Sequence, residues 1–462
     1  MKQINGSKSP HLLQQIQWVT NPLEYMDTCF ERYGDIFSTS IVGKTNPFVF
    51  VSHPQGIQEL LTRDTKEFEA PGRVNGILKP LLGEKSLILL DDKEHRRQRK
   101  LLMPPFHGER MWNYGQLIIK IAEQISSKWV QNQPFIARDA MQEISLIVIL
   151  QTVFGMYEGE RFQKIKTLLT SLLSLTDSPI SSSLLFFPIL QKDLGAWSPW
   201  GRFLRHRQQI DQLLFEEIEE RRQQLTDENH QDILSLMMAA RDEDGQPMSD
   251  IELRDELLTL LFAGHETTAT ALAWALYWVH QQPEVYQKLI QELDSLPADA
   301  DPMTIYKLPY LTAVCQETLR IYPVGVLTFP RMAKQPTTLM GYSIPPDVSI
   351  MGCIYLLHRR PEIYPEPQQF KPERFLERKF SPYEYLPFGG GVRQCIGMAL
   401  AQFEMRLVLA TILRQNQLQL AEKRPVKAAR RGVTLSPLGG VKMMMKGKRT
   451  LNSKSLATSN SV

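Results

Sequence analysis

The segment LPFGGGVRQCIGMALAQFEM, residues 386–405, places one cysteine, Cys395, after three consecutive glycines and directly before an apolar stretch with helical spacing. The first turn of a helix offers unpaired N–H groups and the positive end of the helix dipole, and both stabilise a thiolate. Glycines such as Gly389 and Gly397 allow tight turns and let a flat, bulky group approach the backbone. The segment is consistent with a thiolate ligand beneath a planar cofactor, although Cys395 taken alone would more often be a structural cysteine.

Other uses of glycines and a cysteine do not match the sequence. A phosphate loop would require Gly-Lys-Ser/Thr after the glycines. The four cysteines of the chain are widely spaced and include no CxxC pair, which argues against a zinc site or a disulfide framework and favours a reducing compartment. Since the C-x-x-C-H attachment motif is absent as well, a haem held by Cys395 would be bound non-covalently, with the sulfur donating electron density to the iron.

Composition and charge narrow the class of protein. The chain has 462 residues, of which 43% are hydrophobic and 22% charged, as in an ordinary globular protein with a large core. The net charge of +3 is too small to indicate a nucleic-acid-binding protein. The first twenty residues hold no apolar run long enough for a signal peptide or a membrane anchor, and His265 and Glu266 interrupt the apolar stretch 257–279. We expect a soluble cytoplasmic protein without a transmembrane anchor.

Local patterns predict a mainly α protein with a minor β region. DIFSTSIV and PFVFVSHP flank the turn-forming GKTNP and predict a hairpin, whereas helical patterns dominate residues 94–293. Short strands and proline-rich loops follow Pro323, and residues 430–446 resemble two strands around a Pro/Gly turn. Because no repeat or linker divides the chain, we expect one domain over residues 1–446 and a flexible polar tail over residues 447–462.

A long helix is predicted in the second half of the chain. Ser249 and Glu252 form the S-x-x-E pattern of a capping box, and Pro283 marks the other end. Such a helix contains about 33 residues and measures about 50 Å, enough to cross a whole domain. Gly264 lowers helix propensity near its centre, and the Thr267 hydroxyl can bond to a carbonyl of the preceding turn. Together these two residues predict a local bulge.

The centre of this helix also carries an acid beside a hydroxyl. Glu266 and Thr267 at a widened groove would suit proton delivery to a bound group. A kinked helix in an ordinary core accounts for the same residues, and the segment alone does not decide between the two interpretations. A zinc-protease motif is excluded, because H-E-x-x-H would need a histidine where Ala269 stands.

Four motifs in a fixed order make the chain similar to a known family. FGGGVRQCIG at 388–397 matches the F-x-x-G-x-R-x-C-x-G signature of cytochromes P450 at every defined position. AGHETT at 263–268, ETLR at 317–320 and PERF at 372–375 match the other motifs of the family. The resemblance covers the chain up to about residue 446, and the wording of the motifs is similar to that of soluble cyanobacterial members. It implies the cytochrome P450 fold, with the long helix crossing the domain over a buried haem.

The resemblance also implies roles for individual residues at the haem. Cys395 would be the axial thiolate ligand of the iron in a non-covalently bound haem b. Thr267 and Glu266 would activate oxygen and relay protons. The other residues expected to bind the cofactor are Ala263, Phe388, Gly389 and Gly397.

The propionate groups of a haem need cations. The candidates implied by the resemblance are Arg393, Arg331 and the pair of His95 and Arg99, which are four residues apart and share one helical face. His95 stands where many relatives have a tryptophan. A ring nitrogen can still donate a hydrogen bond to a propionate, so we expect all four residues to take part.

A structural charge cluster is implied as well. The family assigns it to Glu317, Arg320 and Arg374. From the residues alone, Glu317 and Arg320 would be an i,i+3 pair on the surface of a helix.

Arg96 and Lys100 form a second, basic stripe on the helix that carries His95. Acidic ferredoxins dock on basic surfaces in this family, so the stripe is a candidate docking site for a ferredoxin with a separate reductase. A solvated basic face accounts for the stripe equally well. We expect the protein itself to be a monomer.

The reaction implied by the family is insertion of one atom of O2 into an unactivated C–H bond, while the other atom leaves as water. The expected walls of the substrate pocket are rich in aliphatic residues, which favours an apolar small molecule bound mainly through area burial. These walls are residues 72–90, 184–190, 261–263 and 324–329. The segment 176–195, which includes one of them, is either a poorly ordered loop or an apolar lid.

A long-chain fatty acid or alkane is the expected substrate, and hydroxylation of a sesquiterpene is the alternative. Arg73 and Lys79 are the nearest basic candidates to anchor a carboxylate, although either could simply face water. A peroxide-driven haem enzyme and a haem sensor are alternatives of another class. The Glu266 and Thr267 pair argues against the first, and the absence of a visible output domain argues against the second.

Overall fold

The computed structural model describes most of the chain. The described residues are 2–41, 47–106, 110–174, 191–224, 232–346, 348–422, 424–432 and 434–449. Most of the segment interpreted as a lid, and all but the first three residues of the predicted tail, lie outside the described residues. Lys448, which the sequence assigned to the tail, ends a strand instead.

Helices make up most of the described chain. Those that precede the long helix are α1 (His11–Thr20), α2 (Pro22–Tyr33), α3 (Pro54–Thr62), α4 (Lys79–Leu82), α5 (Asp92–Leu102), α6 (Arg110–Ser126), α7 (Ala137–Phe154), α8 (Glu160–Ser174), α9 (Pro199–Gln224) and α10 (Ile233–Ala239). The long helix and those that follow it are α11 (Asp250–Gln281), α12 (Pro283–Asp294), α13 (Pro302–Tyr306), α14 (Pro309–Ile321), α15 (Ile354–Leu357), α16 (Arg374–Glu377) and α17 (Met398–Gln415). The predicted dominance of helix over residues 94–293 is confirmed.

The strands are short and form small sheets. They are β1 (Ile36–Thr39), β2 (Phe48–Val51), β3 (Phe68–Glu69), β4 (Pro134–Ile136), β5 (Arg331–Ala333), β6 (Thr337–Leu339), β7 (Tyr342–Ile344), β8 (Ser349–Gly352), β9 (Asn416–Leu420), β10 (Ala428–Arg431), β11 (Thr434–Pro437) and β12 (Lys442–Lys448). The largest sheet has the strand order β1-β2-β8-β5-β3, and β4-β12-β9 form a second sheet. The fold is mainly α with a minor β region, as expected.

Two sequence predictions about strands have different outcomes. The hairpin is confirmed, because β1 and β2 pair antiparallel with Ile36 opposite Val51. The two strands predicted within residues 430–446 exist as β11 and β12, but they do not pair with each other. β11 pairs with β10 and β12 pairs with β4 and β9, since Gly439 and Gly440 at left-handed φ of 76° and 77° direct the chain away from a simple hairpin.

Helix α11 runs through the hydrophobic core. Its capping box is formed as predicted: Ser249 Oγ accepts the N–H of Glu252 (3.3 Å), and the Glu252 carboxylate accepts the N–H of Ser249 (2.7 Å). The helix has 32 residues, and Trp274 is completely inaccessible. Within the described ranges, no helix combines the length and the apolar character needed to cross a bilayer.

The bulge predicted at the centre of α11 is wrong, because the helix is continuous there. The Thr267 hydroxyl does donate to the Ala263 carbonyl (2.5 Å), but the regular helix accommodates this bond. The glycine at position 264 is explained by helix packing and not by a bulge. A Cβ at this position would lie 2.6 Å from Cδ1 of Ile149, so the glycine allows α7 to pack closely on α11.

Candidate functional site

A cavity of about 340 Å³ lies between the centre of α11 and the loop that carries Cys395. Its walls are mainly aliphatic and aromatic. Among the described lining residues, Arg393 and Glu404 are the ones with charged side chains. The predicted site residues that line the cavity are Ala263, Thr267, Phe388, Gly389, Arg393, Cys395 and Gly397.

Cys395 lies in a tight loop that leads into α17. Its N–H donates to the carbonyl of Phe388 (3.0 Å), and Gly389 adopts a left-handed φ of 64° inside the loop. Desolvation by the surrounding protein raises the pKa of the Cys395 thiol, although the side chain is accessible from within the cavity, while the N–H of Gly397 and the charge of Arg99 act in the opposite direction. The lowered pKa expected from the helix start alone is therefore not obtained. A bound metal ion would deprotonate the thiol directly.

Accessible residues lie on both sides of the cavity. Ala263 is accessible, although His265 two residues further along the same helix is not. On the opposite wall the Cys395 side chain is accessible as well. A Cβ built on Gly389 or Gly397 would meet no atom within 4 Å, so this wall has room next to the backbone. The residues present are therefore compatible with a planar, thiolate-bound group such as haem.

Thr267 and Glu266 point to different surroundings. Thr267 lines the cavity, whereas Glu266 is not among the described lining residues. The Glu266 carboxylate forms an ion pair with Arg138 and accepts a hydrogen bond from the amide of Gln142 (2.8 Å), both on α7. Arg138 is almost inaccessible. The acid is thus held by a buried cation one residue away from the hydroxyl that faces the cavity.

Of the four predicted propionate ligands, Arg393 lines the cavity. His95, Arg99 and Arg331 are not among its described lining residues. The Arg393 guanidinium lies 4.4 Å from the centroid of the Phe329 ring. Burial, together with the charge of Arg331, lowers the pKa of Arg393 to about 10, so it stays protonated at neutral pH. The backbone carbonyls that accept its hydrogen bonds belong to Ala70, Leu87 and Leu90, at 2.5 to 3.0 Å.

His95 and Arg99 lie one turn apart on α5, next to the Cys395 loop. Arg99 donates to the carbonyl of Gln394 (2.8 Å). Burial, and then the charges of Arg393 and Arg99, lower the pKa of His95 to about 3, so its imidazole is neutral. These residues form a cluster in which positive charge disfavours a further proton, and an anionic group placed among them would be stabilised.

Arg331 is paired with a carboxylate of the protein itself. Its inaccessible guanidinium donates to both oxygens of Asp64 (2.5 and 2.8 Å) and to the carbonyl of Gly390 (3.0 Å). Asp64 also accepts the N–H of Val392 (3.0 Å). The structure therefore places Arg331 where it fixes the Cys395 loop to the rest of the fold, and Asp64 already balances its charge.

Glu317, Arg320 and Arg374 meet in a buried cluster. Arg320 donates twice to the Glu317 carboxylate (2.6 and 2.8 Å), and Arg374 donates to the same carboxylate at 3.1 Å. A further N–H of Arg320 donates to the carbonyls of His358 (2.8 Å) and Pro367 (3.0 Å). The Glu317 and Arg320 side chains are completely inaccessible, so the pair does not lie on the surface as the residues alone suggested.

Neither predicted carboxylate anchor reaches the cavity. Arg73 forms ion pairs with Glu69 and with Asp91 (3.5 Å), and Lys79 pairs with Glu84 (2.7 Å). Both cations are more than half exposed and absent from the described cavity lining. Their charges are balanced by acids close to them in sequence.

The predicted basic stripe lies on the exposed side of α5. Arg96 and Lys100 are both exposed, and Lys100 forms an ion pair with Glu243. The groove around them also carries Arg241 and Asp242. The surface is therefore of mixed sign, with cations and acids side by side.

Two residues that lie at or beside the site were not predicted from the sequence. Glu404 lines the cavity, is almost inaccessible, and has its pKa raised by burial to about 8. Its position four residues after Leu400 and three before Leu407 puts an acid on the apolar face of a helix, which was a usable signal. Arg138 had no comparable signal, because its partner Glu266 is 128 residues away.

Comparison with known proteins agrees with the motifs. The family model described as Cytochrome P450 matches residues 8–443. Cytochrome P450 135B1 of Mycobacterium tuberculosis is 34% identical over 453 residues, which cover 98% of this chain and 93% of that protein. Cytochrome P450 138 of the same organism is 32% identical over 444 residues, which cover 95% of each chain.

A solved structure is similar over nearly the whole length. Cyanobacterial CYP120A1 with bound retinoic acid matches with a TM-score of 0.83 and 25% sequence identity, covering 97% of this chain and 100% of that one. The resemblance inferred from the motifs, including that to cyanobacterial members, is confirmed. The chain belongs to the cytochrome P450 family, whose members are haem-thiolate monooxygenases.

Proposed function

We propose that this protein hydroxylates a long apolar molecule, a long-chain fatty acid or an alkane, at the cavity between α11 and the Cys395 loop. The observation that carries the proposal is the arrangement of that cavity, which has a thiol on one wall, the Thr267 hydroxyl on the other and hydrocarbon around both. When bound, a haem would supply the activation of O2, from which one atom enters a C–H bond and the other leaves as water.

The residues that would hold the haem follow from their positions. Cys395 would be the axial ligand of a non-covalent haem b, and Ala263, across the cavity, leaves room for the ring. Arg393 and Arg99 would balance the propionate charges, and neutral His95 could donate one ring N–H. The contact between Arg331 and a propionate, which the resemblance implies, stays a prediction. Asp64 already binds that arginine. Phe388, Gly389 and Gly397 would contact the same group from the Cys395 loop.

Thr267 and Glu266 would deliver the protons that reduction of O2 consumes. Thr267 lines the cavity, and its hydroxyl, on turning away from the Ala263 carbonyl, would donate its proton into the cavity. Glu266 is next to it in sequence but is bound to Arg138. Proton delivery from this acid therefore requires the carboxylate to leave Arg138 or to act through a bridging water.

The cavity lining supports an apolar substrate. Arg393 is the cation among the described lining residues, and it is proposed to serve the haem, while Arg73 and Lys79 are ion-paired elsewhere. A fatty acid would consequently bury its chain and keep its carboxylate near solvent. The solved relative CYP120A1 holds retinoic acid, which is a long apolar chain with a terminal carboxylate. This supports a substrate of similar character.

A neutral terpene is the second candidate, and the same observation favours it. Since neither predicted anchor is available in the cavity, a sesquiterpene hydrocarbon would lose nothing by lacking a carboxylate. A peroxide-driven enzyme and a haem sensor are less well supported, because both leave the hydroxyl and acid at 267 and 266 without a task.

Reduction would come from a ferredoxin with its own reductase, acting on a monomeric protein in the bacterial cytoplasm. Arg96 is exposed on α5, the helix that also holds Arg99 against the Cys395 loop. Because Glu243 and Asp242 lie beside it, the donor would need both acidic and basic groups at its docking face. Arg96→Glu should slow reduction by ferredoxin and leave substrate binding unchanged. Reduction at the original rate would disprove this docking site.

Titration of the ferric holoprotein tests the substrate class. Productive binding displaces water from the iron and shifts its Soret absorption, so seating is visible without turnover. We would titrate a saturated long-chain fatty acid, its methyl ester, the alkane of equal length and a sesquiterpene hydrocarbon in parallel. A saturable shift with the acid that is weakened by its methyl ester supports a fatty-acid substrate whose carboxylate the protein recognises.

The other outcomes separate the remaining possibilities. A shift with the alkane that equals that of the acid points to alkane hydroxylation, and a shift with the sesquiterpene alone favours the terpene. If none of the four ligands moves the Soret band, the proposal of a long apolar substrate is wrong.

A further inference from the structure

Helix α1 is oriented against the usual pattern for a helix in water. It buries the polar side chain of Gln14, which is 2% exposed, and exposes Leu12, Leu13 and Ile16 at 58%, 45% and 50%. These three residues share one side of the helix by their spacing. A surface helix ordinarily turns its aliphatic side chains towards the core.

Hydrogen bonds fix this orientation. The side-chain carbonyl of Gln14 accepts the Tyr25 hydroxyl (2.9 Å) and the N–H of Ser40 (2.9 Å), and its amide donates to the carbonyl of Ser9 (2.8 Å). On the same buried side, Trp18 is 6% exposed and packs against Phe50. The three aliphatic side chains therefore face outward because the rest of the helix is anchored, and not because its end frays.

Cations predominate in the segments that precede α1 and β10, and the acid Asp139 shares a groove with Arg430. Arg430 of β10 reaches α1, since its guanidinium lies 5.4 Å from the centroid of the Trp18 ring. Lys8, before α1, and Arg424 and Lys427, before β10, are all exposed. Neither residues 1–23 nor residues 423–449 contain an aspartate or glutamate.

A further exposed aliphatic residue follows β11, the strand that pairs with β10. Leu438 is 63% exposed, and its N–H donates to the carbonyl of Lys427 (2.8 Å). We call this group of residues the α1 surface. It consists of Lys8, Leu12, Leu13, Ile16, Arg424, Lys427 and Leu438.

We propose that the α1 surface binds the surface of a lipid bilayer that contains anionic phospholipids. Aliphatic side chains would enter the boundary between headgroups and acyl chains, and the cations would lie at the phosphates. A second copy of this chain is a poorer occupant, because a two-fold interface would set the same cations against each other.

Strand β11, which precedes Leu438, is bonded to the wall of the candidate active site. The N–H of Leu435 in β11 donates to the carbonyl of Val324 (2.9 Å), and Trp274 of α11 donates to the carbonyl of Leu435 (3.0 Å). Val324 lines the cavity. If the substrate is apolar, as proposed above, a bilayer at the α1 surface would present it near this wall. Membrane binding itself does not depend on the substrate proposal.

Vesicle flotation of the haem-loaded protein tests the inference. We expect the protein to float with vesicles of phosphatidylcholine and phosphatidylglycerol, and to float less with phosphatidylcholine alone or at high salt. The triple variant Leu12→Ser, Leu13→Ser, Ile16→Ser should lower the affinity by about tenfold or more, since each removes buried hydrocarbon. Arg424→Glu with Lys427→Glu should weaken binding to the anionic vesicles selectively.

The matched control replaces aliphatic residues that are equally exposed elsewhere. Ile251 and Leu376 are 54% and 50% exposed, and Ile251→Ser with Leu376→Ser should leave vesicle binding unchanged. An unaltered Soret band and circular dichroism spectrum would show that each variant folds. No flotation of the parent protein, or an equal loss in the control, would overturn the proposal. The proposal would also be overturned if the parent protein did not bind vesicles but formed a dimer that the triple variant dissociates.

Discussion

Glu266 is bound to Arg138 of α7, although the next residue in sequence, Thr267, lines the cavity beside the Cys395 loop. The acid and the hydroxyl are therefore adjacent in sequence but have different surroundings, a buried cation for Glu266 and the cavity for Thr267. Arg138 is almost inaccessible and the Glu266 side chain is 18% exposed, so the ion pair lies at the inner edge of the core. Any movement of the acid towards Thr267 has to break it.

Arg138→Gln should lower the free energy of unfolding by about 3 kcal/mol, because it removes a buried cation from the ion pair with the Glu266 carboxylate in a poorly solvated place. The double variant Arg138→Gln, Glu266→Gln should lose less than the two single variants together, since it removes both charges. Urea unfolding of all three variants and the parent measures this coupling. Strictly additive losses would show that the two side chains do not stabilise each other.

Gly264→Ala should destabilise the protein by about 1 to 3 kcal/mol, although alanine is the better helix former. The new Cβ would lie 2.6 Å from Cδ1 of Ile149, so either this side chain has to turn to another rotamer or α7 has to shift away from α11. Ile149→Val removes that carbon atom and should restore much of the loss in the double variant. Thermal unfolding of the single and double variants provides the measurement, and a double variant no more stable than Gly264→Ala would contradict the steric explanation.

Features encoded over a few residues were predictable from the sequence, and features that depend on distant partners were not. The capping box of Ser249 and Glu252 and the glycines around Cys395 act locally, so their spacing was sufficient. The bulge at Gly264 was mispredicted because propensity ignores α7, whose Ile149 determines what fits there.

The partners of the cations at the site were likewise not predictable from local spacing. Arg331 is balanced by Asp64, 267 residues away, and no spacing rule reveals such a pair. Glu317 and Arg320 were assigned to a cluster only through the family resemblance, since their i,i+3 spacing is equally common on exposed helices. Burial turns the same two residues from a weak surface pair into the centre of a network that joins α14 to α16.

Glu404→Gln should change how stability depends on pH. Burial raises the pKa of Glu404 to about 8 in the folded protein, and the Ser145 hydroxyl opposes this shift only in part. The folded state then binds more protons than the unfolded state between the two pKa values, so stability falls as pH rises from about 4.5 to about 8. Glutamine does not titrate, so the variant lacks this contribution to the pH dependence of stability.

The difference between Glu404→Gln and the parent should consequently grow across that window and reach a few kcal/mol, at most about 5, at pH 8. Urea unfolding at several pH values between about 5 and 8 measures it. A constant difference over this range would mean that Glu404 titrates normally in the folded protein.

Thr267→Ala should separate electron consumption from product formation. Thr267 lines the cavity and its hydroxyl donates to the Ala263 carbonyl (2.5 Å), so the hydroxyl is held beside the cavity and would deliver a proton there by turning away from that carbonyl. Without the hydroxyl, oxygen should leave as hydrogen peroxide, and product formed per electron pair should fall by about tenfold or more. Peroxide and hydroxylated product, both measured against consumed NADPH in a ferredoxin-coupled assay, show the partition. Thr267→Ser keeps the hydroxyl and should stay close to the parent, so equal losses in both variants would assign the effect to the missing methyl group, and tight coupling in Thr267→Ala would remove the hydroxyl from the proton route.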